Sequence, residues 1–172
     1  SPDSTENQVV LLGITDGLIS RLNSELVVRP TSAVLRYSVF PGTGSGLVDP
    51  LMAGREQGVD AVLTGSMESS ANHTALKLRL TRVRDGLTLW QDSFEGRPDG
   101  LSQLEQRAGD AAAGVLHHFG AVAAPKKPAE KAASSRKDDE AYQLYLRGRY
   151  FWNLRTVDGL SKSADYFRKA IA

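Results

Sequence analysis

The segment from residue 141 to residue 171 constrains the fold most, because it places small and large apolar side chains at helical spacing in two successive runs. The residues that share this spacing are Leu144, Gly148 and Phe151 in the first run, and Leu160, Ser163, Phe167 and Ala170 in the second. Residues three and four apart lie on one face of a helix, so small residues of one helix can face large residues of the other. The pattern predicts two short helices in close contact, and such a pair cannot bury its own apolar face.

These positions resemble the first tetratricopeptide repeat, a helix-turn-helix unit of about 34 residues that stacks into a solenoid. Leu144 takes the usual Trp position, and the Gly, Tyr, small, aromatic and closing Ala positions fall on Gly148, Phe151, Ser163, Phe167 and Ala170. Arg147 departs from the pattern by replacing a Leu, and the turn from Asn153 to Lys162 is expected to be about three residues longer than the repeat allows. Because stacked repeats need roughly three units for stability and the sequence has no starting Met, we expect a segment of a larger protein.

The amino-terminal part alternates helix and strand signals. Apolar residues at helical spacing over residues 9–22 predict an amphipathic helix, and the apolar run at 25–29 predicts a buried strand. Further on, Asp49 and Pro50 are the N-cap and first-turn residues of a helix that ends near Gly58. A strand is predicted to open directly after this helix.

Leucines at 76, 78 and 80 alternate with charged residues, which is typical of a strand with one buried face. A bulge near Thr81 would bring Val83 back into phase. The dipeptide Asp85-Gly86 predicts a two-residue type I′ hairpin turn, and the next strand puts Thr88, Trp90 and Phe94 on one face. Residues 101–119 predict a long closing helix, and the Ala, Pro and Lys content of 121–137 predicts a linker.

These elements predict an α/β fold, a two-layer sandwich of a mixed sheet with helices on one face, followed by an α-helical hairpin. The predicted boundaries are 1–120 for the α/β domain, 121–137 for the linker and 138–172 for the helix pair.

The α/β part resembles the TolB-like amino-terminal domain that precedes tetratricopeptide repeats in bacterial signalling proteins. The matching blocks are residues 13–19, 28–34, 54–66 and 83–90. The resemblance implies a regulatory segment of a CadC-like transcription regulator, an adenylate cyclase or a receptor kinase. That family begins with a strand that this chain lacks, so one sheet edge would be open to pair with another chain.

Composition excludes several functional classes. The chain has no Cys, so disulfides, thiolate metal sites and thiol catalysis are absent. Its net charge of +1 gives no global attraction to nucleic acid or anionic lipid. No apolar run is long enough for a membrane span and no signal peptide is present in the sequence given. If a span precedes the segment, we expect the segment to face the periplasm; otherwise it is cytoplasmic.

Catalytic and metal-binding patterns are weak. The glycines at 42, 44 and 46 could form a phosphate-binding loop, but no Gly-Lys-Ser/Thr follows, so a surface loop is favoured. His117 and His118 are adjacent and point about 100° apart on a helix, which prevents chelation of one ion. No motif places a nucleophile beside a base. The sequence therefore predicts no enzyme, no cofactor and no metal.

Two candidate binding sites remain. Arg29, Thr31 and Ser32 follow the predicted strand end, where α/β domains often bind ligands, although a capping and ion-pairing role is favoured for them. In the repeat family the first helix lines a concave groove, and the matching positions are Tyr142, Tyr145, Arg149, Trp152 and Asn153. Large amphipathic rings beside an Arg are typical of peptide-binding hot spots, and the same rings could instead pack on neighbouring helices.

The predicted function is a non-enzymatic interaction and sensing segment that binds a protein or peptide through the repeat groove. The alternatives are a small-ligand-binding domain at Arg29 and the glycine loop, or a dimerisation module that uses the open sheet edge.

Overall fold

A computed structural model describes residues 2–23, 26–37, 49–118 and 136–172, with side chains described from residue 9 in the first range and from residue 139 in the last. The described chain is a mixed α/β structure with six α-helices and a three-stranded antiparallel sheet. The elements are α1 (Pro2–Leu22), α2 (Thr31–Val34), α3 (Pro50–Gln57), β1 (Ala61–Ser69), β2 (Thr74–Arg82), β3 (Thr88–Gly96), α4 (Leu101–His118), α5 (Arg136–Asn153) and α6 (Val157–Ala170). Within these ranges no helix combines the length and apolar character needed to cross a membrane.

The sheet has the order β1-β2-β3, and both of its strand pairs are antiparallel. Leu76, Leu78 and Leu80 of β2 are buried, whereas Lys77 and Arg79 between them are exposed. This confirms the predicted alternation, since successive side chains of a strand point to opposite faces. The predicted bulge is confirmed as well, because the β2–β3 register shifts between Leu80 and Thr81.

The apolar face of the sheet is covered by α1 and α4. The predicted helix at 9–22 is confirmed, as is the described part, 101–118, of the helix predicted at 101–119, and both contribute to one buried cluster with β2 and β3. The cluster contains Ile14, Leu18, Leu76, Leu78, Phe94, Leu104 and Ala108. Burying these side chains provides the main hydrophobic stabilisation of the α/β part.

Helix α3 has the ends that the sequence predicts. The Asp49 carboxylate accepts a hydrogen bond from the Leu51 amide at 3.0 Å, and Pro50 occupies the first turn, where it needs no hydrogen-bond partner. Gly58 ends the helix in the left-handed conformation, with φ at 61°.

The prediction of a buried strand at 25–29 is wrong for residues 26–29, the part of this run that the structure describes. Leu26 is buried and forms an isolated bridge, but residues 27–30 have no regular structure and Val27 is 84% exposed. The Arg29 side chain holds the chain to the end of α3 by donating to the Gln57 carbonyl oxygen. The predicted mixed sheet needed a parallel strand here, and the sheet of the described residues is instead wholly antiparallel.

The β2–β3 connection is a hairpin, as predicted, but it is not a two-residue type I′ turn. The loop runs over residues 83–87, and only Gly86 has a positive φ, at 72°. A type I′ turn requires positive φ at both central residues. The loop is longer than two residues because Val83 does not pair with β3. Its side chain is buried, and its backbone amide donates to the Asp60 carbonyl oxygen at 2.9 Å.

Helices α5 and α6 form a helical hairpin at the carboxyl end. The predicted close contact is confirmed, because Gly148 lies directly against the Phe167 ring and Ser163 is buried. The predicted long turn from 153 to 162 is wrong, since only residues 154–156 separate the two helices. Residues 136 and 137, assigned to the linker, begin α5; the rest of that linker lies outside the described residues.

Helix α5 also packs on the α/β part through α1. Leu146 is fully buried and lies against Gly13, where a side chain would have no room. Tyr150 joins Val9 and Leu12 in a second buried cluster, which Leu35 and Phe151 border. The hairpin is therefore attached to the α/β part by an apolar interface.

Candidate functional site

The five residues predicted to line a groove lie on α5 but do not share one environment. Tyr145 and Trp152 are exposed, at 40% and 43%, and are large enough to contact a partner. Tyr142 and Arg149 are partly buried. The Asn153 side chain donates from Nδ2 to the Arg149 carbonyl oxygen at 3.0 Å, within the last turn of the helix.

Aromatic pairs connect α5 and α6 across the hairpin, and the exposed Tyr145 belongs to one of them. Tyr145 stacks with Tyr142 at 6.3 Å between ring centroids and contacts Phe167 of α6 at 5.9 Å. Phe151 and Tyr166 are parallel, with their centroids 5.4 Å apart. Such pairs contribute about 0.5–1.5 kcal/mol beyond the area they bury, so they hold the Tyr145 ring in a fixed position.

Cationic side chains lie over three aromatic rings of the hairpin. The Arg155 guanidinium is 5.7 Å from the Trp152 centroid, the Lys162 ammonium is 5.7 Å from Phe151, and the Lys169 ammonium is 5.8 Å from Tyr166. Distances below about 6 Å are in the range of cation–π attraction. None of these cations was predicted from the sequence. Only Lys169 lies at helical spacing from its ring, three residues after Tyr166 on α6.

Arg149 points inward and pairs with Asp16 of α1. Its Nη2 atom is 2.5 Å from the Asp16 carboxylate, and Asp16 is only 4% exposed. The Thr31 hydroxyl donates to the same carboxylate at 2.5 Å. A buried carboxylate requires such partners, so Asp16 joins α1, α2 and α5. Within the described chain the Arg149 Nε and the Tyr142 hydroxyl are buried with no hydrogen-bond partner.

Glu105 of α4 adds a second carboxyl group to this region. It lies against Gly17 of α1, and its pKa is raised to about 7 by burial, against the opposing charge of Arg21 and with a smaller contribution from Asp16. Burial is also the first cause of a raised pKa at Tyr145, which the charges of Asp16 and Glu105 reinforce against Arg149. We name Asp16, Thr31, Glu105 and Arg149 the junction cluster.

The junction cluster was not predicted from the sequence as a site. One signal was available: Asp16 is four residues after Leu12 and three after Gly13, so it lies on the α1 face that contacts α5. An acidic residue on the buried face of a helix requires a cationic or hydrogen-bonding partner. The sequence offered no means of choosing that partner.

The three residues predicted to bind a small ligand do not converge. Arg29 donates to the Gln57 carbonyl at 3.0 Å from Nε and 2.5 Å from Nη2, whereas Thr31 is buried against Asp16 and Ser32 is exposed. The glycine loop at 42–46 lies outside the described residues. Ligand binding at these residues stays a prediction.

Two concave regions are lined by none of the residues predicted as binding sites. One, of about 490 Å³, is lined by Ala71, Asn72, Arg97, Pro98 and Asp99. The other, of about 420 Å³, lies between β3 and α4 and includes Trp90 and His118. In the described part of the chain, no three His, Asp or Glu side chains are grouped so that they could hold a metal ion.

Neither a scan against protein-family models nor searches of curated proteins and of solved structures found a match to this chain.

Proposed function

We propose that the chain is a non-enzymatic interaction and sensing segment whose helical hairpin binds a protein or peptide partner. The proposal includes the two-layer TolB-like α/β domain and the tetratricopeptide-like hairpin that the sequence resembles. It also includes a signalling or transcription-regulatory protein as the context.

The observation that carries the proposal is the concentration of exposed apolar side chains on the hairpin. Three exposed large hydrophobic residues of the described chain, Val27, Met52 and Leu87, are scattered over the α/β part. The hairpin carries the others, which are Tyr145, Trp152, Leu154, Val157, Leu160 and Ile171. Apolar surface concentrated in one place, beside polar groups, marks interaction sites in soluble proteins.

Trp152 is the residue best suited to contact the partner. Its ring is 43% exposed and is oriented by Arg155. Trp and Arg are enriched among the residues that dominate binding energy, and a Trp ring buries a large area while it has few rotamers to lose. Leu154 and Val157 extend the apolar surface next to it at the turn of the hairpin.

Peptide selection from a random library on the immobilised chain tests the proposal. We expect Trp152→Ala to weaken the selected peptides at least about tenfold, since truncated hot spots typically cost more than about 1–2 kcal/mol. The matched control is Leu87→Ala, because Leu87 is also an exposed apolar residue, at 54%, but lies on the β2–β3 loop. Selected peptides that bind Trp152→Ala as tightly as the unchanged chain would remove the hairpin from the proposal.

A further inference from the structure

One edge of the sheet carries backbone groups that pair with nothing among the described residues. The strand order is β1-β2-β3, so β1 pairs with β2 on one side only. At the turn that joins these two strands, Ser70 and His73 exchange backbone hydrogen bonds of 2.7 and 3.4 Å. In an antiparallel pair such residues alternate with residues whose amide and carbonyl groups face away from the neighbouring strand. The residues of β1 that face away, here named the open edge, are Ala61, Leu63, Gly65, Met67 and Ser69.

The opposite edge of the sheet, on β3, is protected by side chains. The Ser93 amide donates to the Asp92 carboxylate at 2.8 Å, and the Glu95 carbonyl oxygen accepts from Arg107 of α4 at 3.1 Å. By the same alternation, Ser93 and Glu95 face away from β2. Natural sheets protect free edges with charges, Lys, Pro or bulges. Strand β1 has no Lys, no Pro and an unbroken register, so it is the edge that can accept another strand.

Strand β1 is complementary to a second copy of itself about Gly65. Two strands related by a twofold axis run antiparallel, and the residue on the axis must belong to the open edge. Centring on Gly65 overlaps all nine residues of both strands, whereas centring on Leu63 or on Met67 overlaps only about five. The full overlap allows about ten backbone hydrogen bonds between the copies. Gly65 has no side chain at the axis, where the two backbones approach each other.

The same register matches the side chains on both faces of the joined sheet. On the apolar face, Leu63 lies opposite Met67 of the second copy, and both side chains are partly buried at the border of the core cluster. On the other face, Thr64 lies opposite Ser66 of the second copy. Glu68 is the one charged residue of β1, and no charge lies opposite it. The pairing therefore extends the apolar face and opposes no like charges.

We propose that the chain forms a twofold dimer in which the open edges of two copies pair about Gly65 and make one continuous antiparallel sheet. The occupant of the open edge is a second copy because the register of greatest overlap is also the one that matches both faces. Since the β3 edges are protected, the assembly stops at two copies and does not extend into a fibre. This interface lies on the α/β part and goes beyond the proposed function, which concerns the hairpin.

The absence of Cys in the chain permits a test that is specific for the register. Thr64→Cys and Ser66→Cys are prepared as separate proteins and are mixed in a glutathione redox buffer. Directly opposed residues lie about 4.5–5.5 Å apart, within reach of a disulfide, whereas residues two positions away lie about 7–8 Å apart. We expect the mixed disulfide to exceed each of the two symmetric disulfides about tenfold or more, because a strained disulfide costs several kcal/mol.

The distribution of the three disulfides decides the proposal. A statistical distribution would overturn the pairing, since random collision favours no combination. A dominant symmetric disulfide of either variant would overturn the register about Gly65. The matched control is Gln91→Cys, an exposed position that faces away from β2 on the protected β3 edge. It should form no more than the statistical amount of disulfide with Thr64→Cys.

Sedimentation equilibrium measures the association without an added thiol. Gly65→Pro removes an amide that faces away from β2, so it should leave the β1–β2 pairing intact and raise the dissociation constant of the dimer about tenfold or more. Gly65→Ala is the control, because its Cβ atom would also lie 3.0 Å from Leu78 while the amide is kept. Circular dichroism checks that the Pro variant is folded, and the disulfide distribution decides the proposal if it is not.

Two results of this measurement would overturn the dimer. One is a folded Gly65→Pro chain that associates as tightly as Gly65→Ala. The other is an unchanged chain that stays monomeric at about 1 mM, which would leave the open edge to a foreign strand.

Discussion

At the scale of single residues, Gly148 sets the distance between the two helices of the hairpin. A Cβ atom at this position would lie 2.5 Å from the Phe167 ring, well inside van der Waals contact. Gly114 of α4 is the opposite case, since a Cβ there would meet no atom within 4 Å. A Gly→Ala substitution should therefore lower stability at Gly148 and raise it at Gly114.

We expect Gly148→Ala to destabilise the chain by about 1–2 kcal/mol, because the cost of overpacking exceeds the gain in helix propensity. Gly114→Ala should stabilise it by up to about 1 kcal/mol, since only the propensity term acts there. Urea unfolding followed by far-ultraviolet circular dichroism measures both. A Gly148→Ala chain as stable as Gly114→Ala would show that the helices can move apart without cost.

The contact at Gly148 could be predicted from the sequence, and the one at Asp16 could not. Gly148 and Phe167 belong to a local pattern of small and large residues within one hairpin. Asp16, Thr31 and Arg149 come from three separate elements, and no spacing rule connects them. Arg149 was predicted to line a partner-binding groove from the resemblance to the repeat family, whereas its side chain pairs with Asp16 in the fold.

At the scale of elements, capping residues decide where α6 begins. The Thr156 side chain accepts a hydrogen bond from the Gly159 amide at 3.0 Å, and Arg155 takes a left-handed φ of 54° to bring the chain around. The resemblance to a tetratricopeptide repeat predicted a later start for α6 and did not predict this cap. Helix α3, whose Asp49, Pro50 and Gly58 signals were recognised, has the predicted ends.

Loss of the Thr156 cap should weaken the first turn of α6. We expect Thr156→Ala to destabilise the hairpin by about 1 kcal/mol and Thr156→Ser to cost much less, because Ser keeps the accepting oxygen. Hydrogen exchange at the Gly159 amide reports the change directly, with about a fivefold or greater loss of protection in the Ala variant. Equal protection in the Ala and Ser variants would mean that the side-chain oxygen does not hold this turn.

Elements without strong local signals were decided by tertiary contacts. The run at 25–29 has the composition of a strand, yet Val27 is exposed and Arg29 is bound to the end of α3. Val83 belongs by sequence to a hairpin strand, yet it is buried against Gly54 and lengthens the loop. In both places the local β-strand propensity predicts the structure poorly, because the competing contacts come from distant parts of the chain.

At the scale of the whole molecule, the sequence predicted two units joined by a linker, and the structure adds an interface between them. Leu146 is fully buried in this interface and fills the space over Gly13. Tyr150, Val9 and Leu12 form its second half. The hairpin and the α/β part should accordingly stabilise each other, because each would expose its part of this apolar surface to water if it were alone.

Leu146→Ala tests that mutual stabilisation. Removing a fully buried Leu side chain costs about 2–5 kcal/mol, and because the cavity opens between the two units, its cost should appear in the unfolding of both. Leu160→Ala is the matched control, since Leu160 is also a hairpin leucine but is 42% exposed, and it should cost less than about 1 kcal/mol. Differential scanning calorimetry should show one transition for the unchanged chain and a lower or divided transition for Leu146→Ala. If Leu146→Ala affected only the unfolding of the hairpin, as Leu160→Ala would, the hairpin would be an independent unit and the interface would contribute no stability.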